Sequence, residues 1–83
     1  MAGKTELAQK VQAMLDDVYV GNGESVIIGE VVFDRTGFNF KESRVNTPTF
    51  SVDATEYDGT VWIEFYEFGT KPVVVGIPME AIQ

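Results

Sequence analysis

The sequence predicts an α+β fold, with one N-terminal amphipathic helix packed on a four- to five-stranded antiparallel meander sheet. Apolar residues near the N terminus recur at the helical period of about 3.6 residues. From Ser25 onward the period changes to two, and Val, Ile, Phe, Thr and Tyr dominate, as is typical of strands. A chain of 83 residues with no internal repeat and no linker has room for one domain, residues 1–83.

Residues 5–18 are predicted to form the helix, because their apolar positions fall on one face. Those positions are Leu7, Val11, Met14, Leu15 and Val18. Thr5 is the expected N-cap, since its hydroxyl can accept a hydrogen bond from the first turn. Asp16 and Asp17 lie in the last turn, where the helix dipole disfavours negative charge. These two acids are therefore either tolerated or in contact with a partner.

Five strands are predicted, near residues 25–33, 37–44, 49–57, 60–68 and 72–78. The strongest turn signal among them is Asp58-Gly59, a two-residue hairpin loop of type I′. Because a loop of this length fixes the register of its flanking strands, residues on the two strands can be paired. The pairs are Ala54 with Ile63 and Val52 with Phe65 on one face, and Thr55 with Trp62, Asp53 with Glu64 and Ser51 with Tyr66 on the other.

A second hairpin is predicted around the loop at residues 34–37. This loop pairs Phe33 with Phe38. It also places Glu30 opposite Lys41, which predicts a favourable cross-strand ion pair.

A three-residue loop at residues 69–71 is expected to pair Phe65 with Val75 and Ile63 with Ile77. Together the three registers place one set of apolar residues on a single face, which the helix would cover as the core. That face comprises Phe38, Phe40, Phe50, Val52, Ala54, Val61, Ile63, Phe65, Val73, Val75 and Ile77.

The predicted strand at residues 25–33 does not alternate cleanly, since its apolar side chains point to both faces: Val26, Ile28 and Val32 to one, and Ile27, Val31 and Phe33 to the other. We expect it to be covered on both sides or to form the edge for a dimer or partner, and Gly29 is a candidate bulge. If this strand pairs with the one at residues 72–78, the sheet becomes a partly closed barrel.

Composition excludes several classes of function. The chain has neither cysteine nor histidine, so it lacks disulfides, thiolate metal sites and the commonest general base. Paired carboxylates remain, but a chain this short offers little room for a catalytic pocket. No enzyme activity, no metal site and no cofactor are predicted.

Charge is the strongest compositional signal. Thirteen Asp and Glu residues against six Lys and Arg give a net charge of −7, which disfavours direct binding to nucleic acid or to anionic membranes. The natural complement is a basic protein surface, although negative charge also keeps a small domain soluble. The first ten residues hold no signal-peptide core and no stretch is long enough to span a membrane, so a cytoplasmic location is expected.

The outer face of the sheet is the leading candidate for partner binding. Asp53 opposite Glu64 is a like-charge cross-strand pair, which destabilises a sheet. Trp62, Tyr66 and Tyr57 flank it, and exposed aromatic residues beside acids are typical of a binding patch. The alternatives are a solvated face and a face buried in a homodimer.

A second candidate is the segment Gly23-Glu24-Ser25-Val26-Ile27-Ile28, an extended acidic stretch directly after the helix. It resembles the Glu-Ser-Ile/Leu strand of phage uracil-DNA glycosylase inhibitors, which are similar in size and acidity. In that family the strand enters the DNA-binding groove of the enzyme, and the resemblance would implicate Glu24, Ser25 and Val26. Phage anti-CRISPR proteins are similar in general type.

These observations predict a small acidic inhibitor or modulator that docks on a basic, nucleic-acid-binding surface of another protein. Its carboxylates would stand in for phosphates. The alternative is a structural or accessory subunit that self-associates through the strand at residues 25–33 or through the outer sheet face.

Overall fold

The computed structural model describes residues 5–21, 23–47 and 51–82. It confirms the α+β class, with an N-terminal helix followed by antiparallel strands. In chain order the elements are α1 (Glu6–Tyr19), β1 (Ser25–Ile28), β2 (Val31–Asp34), β3 (Gly37–Phe40), β4 (Ser43–Asn46), β5 (Ser51–Tyr57), β6 (Thr60–Tyr66), β7 (Val73–Pro78) and α2 (Met79–Ile82).

The strands form two antiparallel sheets. The first has the order β1-β2-β3-β4 and the second has the order β5-β6-β7. Since β1 and β7 lie in different sheets, the described strands do not close into a barrel. The four-residue helix α2 was not predicted.

The predicted strand at residues 25–33 is a hairpin, in which β1 and β2 are joined by Gly29 and Glu30. Gly29 has a φ of 62°, a conformation that suits glycine in a tight turn, so it is not a bulge. The turn explains the broken alternation, because Ile28 and Val31 are cross-strand partners and point to the same face. Both are buried.

The predicted strand at residues 37–44 is also two strands, β3 and β4, joined by Lys41 and Glu42. Glu30 and Lys41 therefore both lie in turns, and the described chain contains no ion pair between them. Phe40, predicted for the core, is 39% exposed because it stands at the end of β3 beside this turn.

The Asp58-Gly59 hairpin has the predicted register throughout, from Ser51–Tyr66 to Tyr57–Thr60. Asp58 and Gly59 have φ values of 53° and 79°, as a type I′ turn requires.

The β6–β7 hairpin differs from the prediction by two residues. Phe65 pairs with Val73 rather than Val75, and Ile63 pairs with Val75 rather than Ile77. The cause is the position of the turn: the Thr70 N–H donates to the carbonyl of Glu67 at 3.2 Å, so the chain reverses at Phe68 and Gly69, earlier than the predicted loop at residues 69–71. A shift of two residues keeps every side chain on its predicted face.

The core lies between the two sheets and under α1. Phe33 and Phe38 of the first sheet stack on Phe65 of the second, with ring centroids 6.0 and 5.9 Å apart. Tyr19 of α1 packs on Phe65 in a T-shaped arrangement, with ring centroids 5.4 Å apart. Of the apolar residues predicted for the core, Val52 and Val73 are partly buried and Phe50 lies outside the described residues. The buried apolar residues are Ala8, Val11, Leu15, Val18, Ile28, Val31, Phe33, Phe38, Ala54, Val61, Ile63, Phe65, Val75 and Ile77.

Hydrogen bonds from two side chains connect α1 to β5. The Thr5 hydroxyl accepts a hydrogen bond from the Ala8 N–H at 3.2 Å, as an N-cap, and donates one to the Glu56 carboxylate. The Gln12 amide donates to the Val52 carbonyl at 3.0 Å and accepts from the Ala54 N–H at 2.8 Å. These two Gln12 bonds imitate those that a neighbouring strand would make with β5.

Candidate interaction surface

The outer face of the second sheet carries a row of alternating aromatic and acidic side chains along β6. Trp62, Glu64 and Tyr66 point to this face, because every second residue of a strand shares one side. Trp62 and Tyr66 are each 41% exposed. Asp53 of β5 lies directly opposite Glu64, as predicted, and both acids are partly buried. We call these four residues the outer-face row.

A glycine on β7 accommodates the indole of Trp62. Gly76 is the cross-strand partner of Trp62, and a β-carbon at position 76 would lie 2.6 Å from Cζ3 of the indole. The six-membered ring therefore lies flat over the backbone of β7, which orders it while leaving its other side to solvent. This tryptophan therefore packs against a neighbouring strand and is also exposed to solvent.

Two further apolar side chains widen the outer face. Val74 pairs with Glu64 from the β7 side and is exposed, and Tyr57 at the end of β5 is also exposed. With the outer-face row they form an amphipathic surface in which aromatic and aliphatic groups surround two carboxylates. Aromatic residues of this kind are enriched in protein–protein interfaces, whereas carboxylates in their midst need a charged partner.

The other four predicted site residues lie together at the C-terminal end of α1. Asp16 and Asp17 are exposed in the last turn, and Glu24 and Ser25 are exposed at the start of β1. A backbone hydrogen bond from the Gly23 N–H to the Asp17 carbonyl, 3.0 Å long, holds the two segments side by side. The structure therefore divides the eight predicted residues into the outer-face row and this helix-end group.

A polar network on the first sheet was not predicted. The Arg44 guanidinium of β4 binds both carboxylate oxygens of Asp34 in β2, at 2.7 and 2.8 Å, and donates to the Thr36 hydroxyl at 2.6 Å. The Thr36 N–H also donates to Asp34, at 2.9 Å. An Asp two residues before a Thr is a turn signal, but the arginine is brought close only after the turn between β2 and β3 and the turn between β3 and β4.

Three pKa values are shifted in this network and its surroundings. The Arg44 guanidinium holds the pKa of the Asp34 carboxyl well below its usual range, and Asp34 in turn raises the pKa of Arg44. Burial raises the pKa of Tyr19 to about 12, and the negative charge of Asp34 adds to the rise. Asp34 and Arg44 thus form an ion pair in which each residue stabilises the charged form of the other.

Within residues 5–21, 23–47 and 51–82, no group of three or more Asp and Glu side chains is arranged to hold a metal ion. In the same ranges no helix has the length and apolar character needed to cross a membrane.

Comparison with known proteins finds no family model, no curated protein and no solved structure that matches this chain. The resemblance of the Glu24 segment to glycosylase inhibitors therefore stays a prediction.

Proposed function

We propose that this protein is a small acidic binding protein that docks on a basic, nucleic-acid-binding surface of another protein through the outer-face row. The observation that carries the proposal is the pattern on β6, where Trp62 and Tyr66 are both exposed on either side of Glu64. A net charge of −7 favours a basic partner.

The chemistry of the row suits arginine and lysine side chains that normally hold phosphates. A carboxylate accepts the same bidentate hydrogen bonds from a guanidinium as a phosphate does. An exposed indole or phenol ring offers a face on which the guanidinium can stack. Glu64 would then replace a phosphate, while Trp62 and Tyr66 would anchor the apolar parts of the same side chains.

The test is retention of basic nucleic-acid-binding proteins on the immobilised protein, with binding of each retained protein then measured by calorimetry. We expect Glu64→Lys to weaken binding at least about tenfold, because it places like charges face to face. Glu42→Lys is the matched control, since it makes the same charge change in the turn between β3 and β4. Equal binding by the two variants would overturn the proposed surface.

Salt and competitor supply the second part of the test. If carboxylates stand in for phosphates, affinity should fall steeply between about 50 and 200 mM salt, and nucleic acid should compete for the partner. Loss of binding in Glu24→Lys but not in Glu64→Lys would move the contact to the helix-end group. Circular dichroism of each variant establishes that the fold is intact.

A further inference from the structure

Phe68 is the most exposed large apolar side chain of the described chain, with 92% of its surface accessible. It lies in the loop between β6 and β7. The Glu67 carbonyl accepts hydrogen bonds from both the N–H and the hydroxyl of Thr70, at 3.2 and 3.1 Å. Gly69 has a φ of 87°, which fits the third position of a type II turn and places Phe68 at the second. A hydrogen-bonded turn therefore presents this ring to solvent.

A groove of about 250 Å³ lies near the opposite end of β7. Its lining is largely apolar, and its residues are Val31, Phe40, Gly76, Ile77, Pro78 and Ala81, with Glu30 and Lys41. A cavity of about 150 Å³ is enough to hold a benzene ring, whereas small-molecule sites occupy about 300–1,000 Å³. The groove thus has the size for one aromatic side chain rather than for a cofactor.

We propose that the Phe68 ring of one copy of this chain inserts into this groove of a second copy. The ring cannot reach the groove of its own chain, because Ile77 in the groove lies four positions along β7, about 13 Å, from Val73 beside the loop. Each of the two surfaces carries one acid and one base, so each acid can face a base when the ring is inserted. Glu67 and Lys71 flank Phe68, and one acid and one base, Glu30 and Lys41, line the groove.

The contact is heterologous, since the two copies use different surfaces, so it builds a ring or an open chain rather than a symmetric dimer. It is also independent of the outer-face row. Salt screens the long-range repulsion between two copies that each carry a charge of −7. The ion pairs that would form between the charged residues beside Phe68 and those of the groove are exposed, so they contribute little attraction for salt to weaken. Self-association should strengthen with salt, whereas docking on a basic partner should weaken.

The test is sedimentation velocity over a series of protein and salt concentrations. We expect the average mass of the wild type to rise above the monomer, while Phe68→Ser, without the ring, and Ala81→Glu, with a carboxylate in the groove, stay monomeric. Val20→Ser and Ala13→Glu are the controls, because they make similar changes at exposed positions of α1 and its C-cap. Both controls should associate as the wild type does.

Mixing the two monomeric variants gives the decisive result. Phe68→Ser keeps an intact groove and Ala81→Glu keeps an intact ring, so an equimolar mixture can form one contact only. We expect a one-to-one dimer and nothing larger. A wild type that stays monomeric at every concentration and salt, a mixture that stays monomeric, or variants that associate like the controls would each overturn the proposal.

Discussion

Gln12 supplies with one side chain the hydrogen bonds that a further strand would give to β5. Strand edges left open pair readily with other chains. By bonding the Val52 carbonyl and the Ala54 N–H, Gln12 covers part of that edge and fixes the angle at which α1 crosses the sheet. The side-chain amide of Gln12 thereby fixes the position of α1 along β5.

Gln12→Ala is expected to lower the free energy of unfolding by about 1–3 kcal/mol, because two hydrogen bonds to partly buried backbone are lost. Alanine has the higher helix propensity, so the loss cannot come from the helix itself. Urea denaturation followed by circular dichroism measures the change. Lys10→Ala, at an exposed position of the same helix, should change stability little; an equal loss in both would show that the edge contact is unimportant.

Tyr19 makes folding sensitive to alkaline pH. Its hydroxyl donates to the Gly37 carbonyl at 3.3 Å, and burial raises its pKa from 10.0 to about 12. A raised pKa means that the folded state favours the protonated phenol. This contribution to stability is therefore complete below pH 10 and is lost as the pH rises through about 12.

We predict that Tyr19→Phe flattens the decline of stability above pH 10 and costs about 0.5–1.5 kcal/mol at pH 7, where only the hydrogen bond is lost. The phenyl ring keeps its edge contact with Phe65. Urea titrations at a series of pH values measure both effects. Tyr57→Phe, at an exposed tyrosine, is the control. Parallel pH profiles for the wild type and Tyr19→Phe would contradict the prediction.

At the scale of elements, the Asp34–Arg44 pair links strands that are not neighbours. Asp34 belongs to β2 and Arg44 to β4, so the pair reaches across β3, where Asn39 receives a further bond from Arg44 at 3.4 Å. Each of the two side chains is about one-third exposed to solvent. It stabilises the sheet modestly and holds the turn after β2 through Thr36.

Because the Asp34 pKa is lowered in the folded state, its contribution is present above the ordinary value of 3.8 and is lost as the pH falls below it. Asp34→Asn should therefore cost about 1 kcal/mol at pH 7, the upper end for an exposed pair, and progressively less towards pH 2. Thermal unfolding over this pH range gives the comparison. Glu42→Gln, with no such partner in the described structure, should follow the wild type; a constant deficit in Asp34→Asn would show that its charge is irrelevant.

Turn chemistry explains which elements were predictable. The type I′ turn at Asp58-Gly59 requires positive φ at both positions, and Asp-Gly is a sequence that this turn prefers. Every residue pair of that hairpin was therefore predicted. Lys41 adopts a φ of 56° without any sequence signal, so the strand containing it was predicted as continuous. The break in alternation at Gly29 did indicate a turn. Once Gly29 and Glu30 form a two-residue turn, the apolar residues of β1 and β2 alternate regularly between the two faces.

Periodicity also explains the limits at the β6–β7 hairpin and at the candidate site. A pattern of period two is unchanged by a shift of two residues, so it assigned faces to Phe65 and Trp62 but not the register against β7. For the same reason it predicted correctly that the residues of the outer-face row share one face of the sheet. It could not predict the Asp34–Arg44 pair, whose members are ten residues apart and meet only after two turns.

At the scale of the whole molecule, the two sheets share one core. None of the described strands belongs to both sheets, and the rings of Phe33 and Phe38 on one side stack on Phe65 on the other. A domain of this size buries only about 60% of its unfolded surface, so neither sheet has much core of its own. The fold should therefore be cooperative across both sheets.

Phe65→Leu tests this cooperativity directly. We expect a loss of roughly 1–2 kcal/mol, part of the cost of emptying a buried phenylalanine site, because both aromatic stacking contacts disappear. If the sheets unfold as one unit, native-state hydrogen exchange will show the slowest amides of β2 and of β6 losing protection by the same amount. Phe40→Leu, the same change at a partly exposed ring outside the stack, should leave both unchanged. Loss of protection in β6 alone would mean that the two sheets open independently. The stack of Phe33, Phe38 and Phe65 would then not couple them.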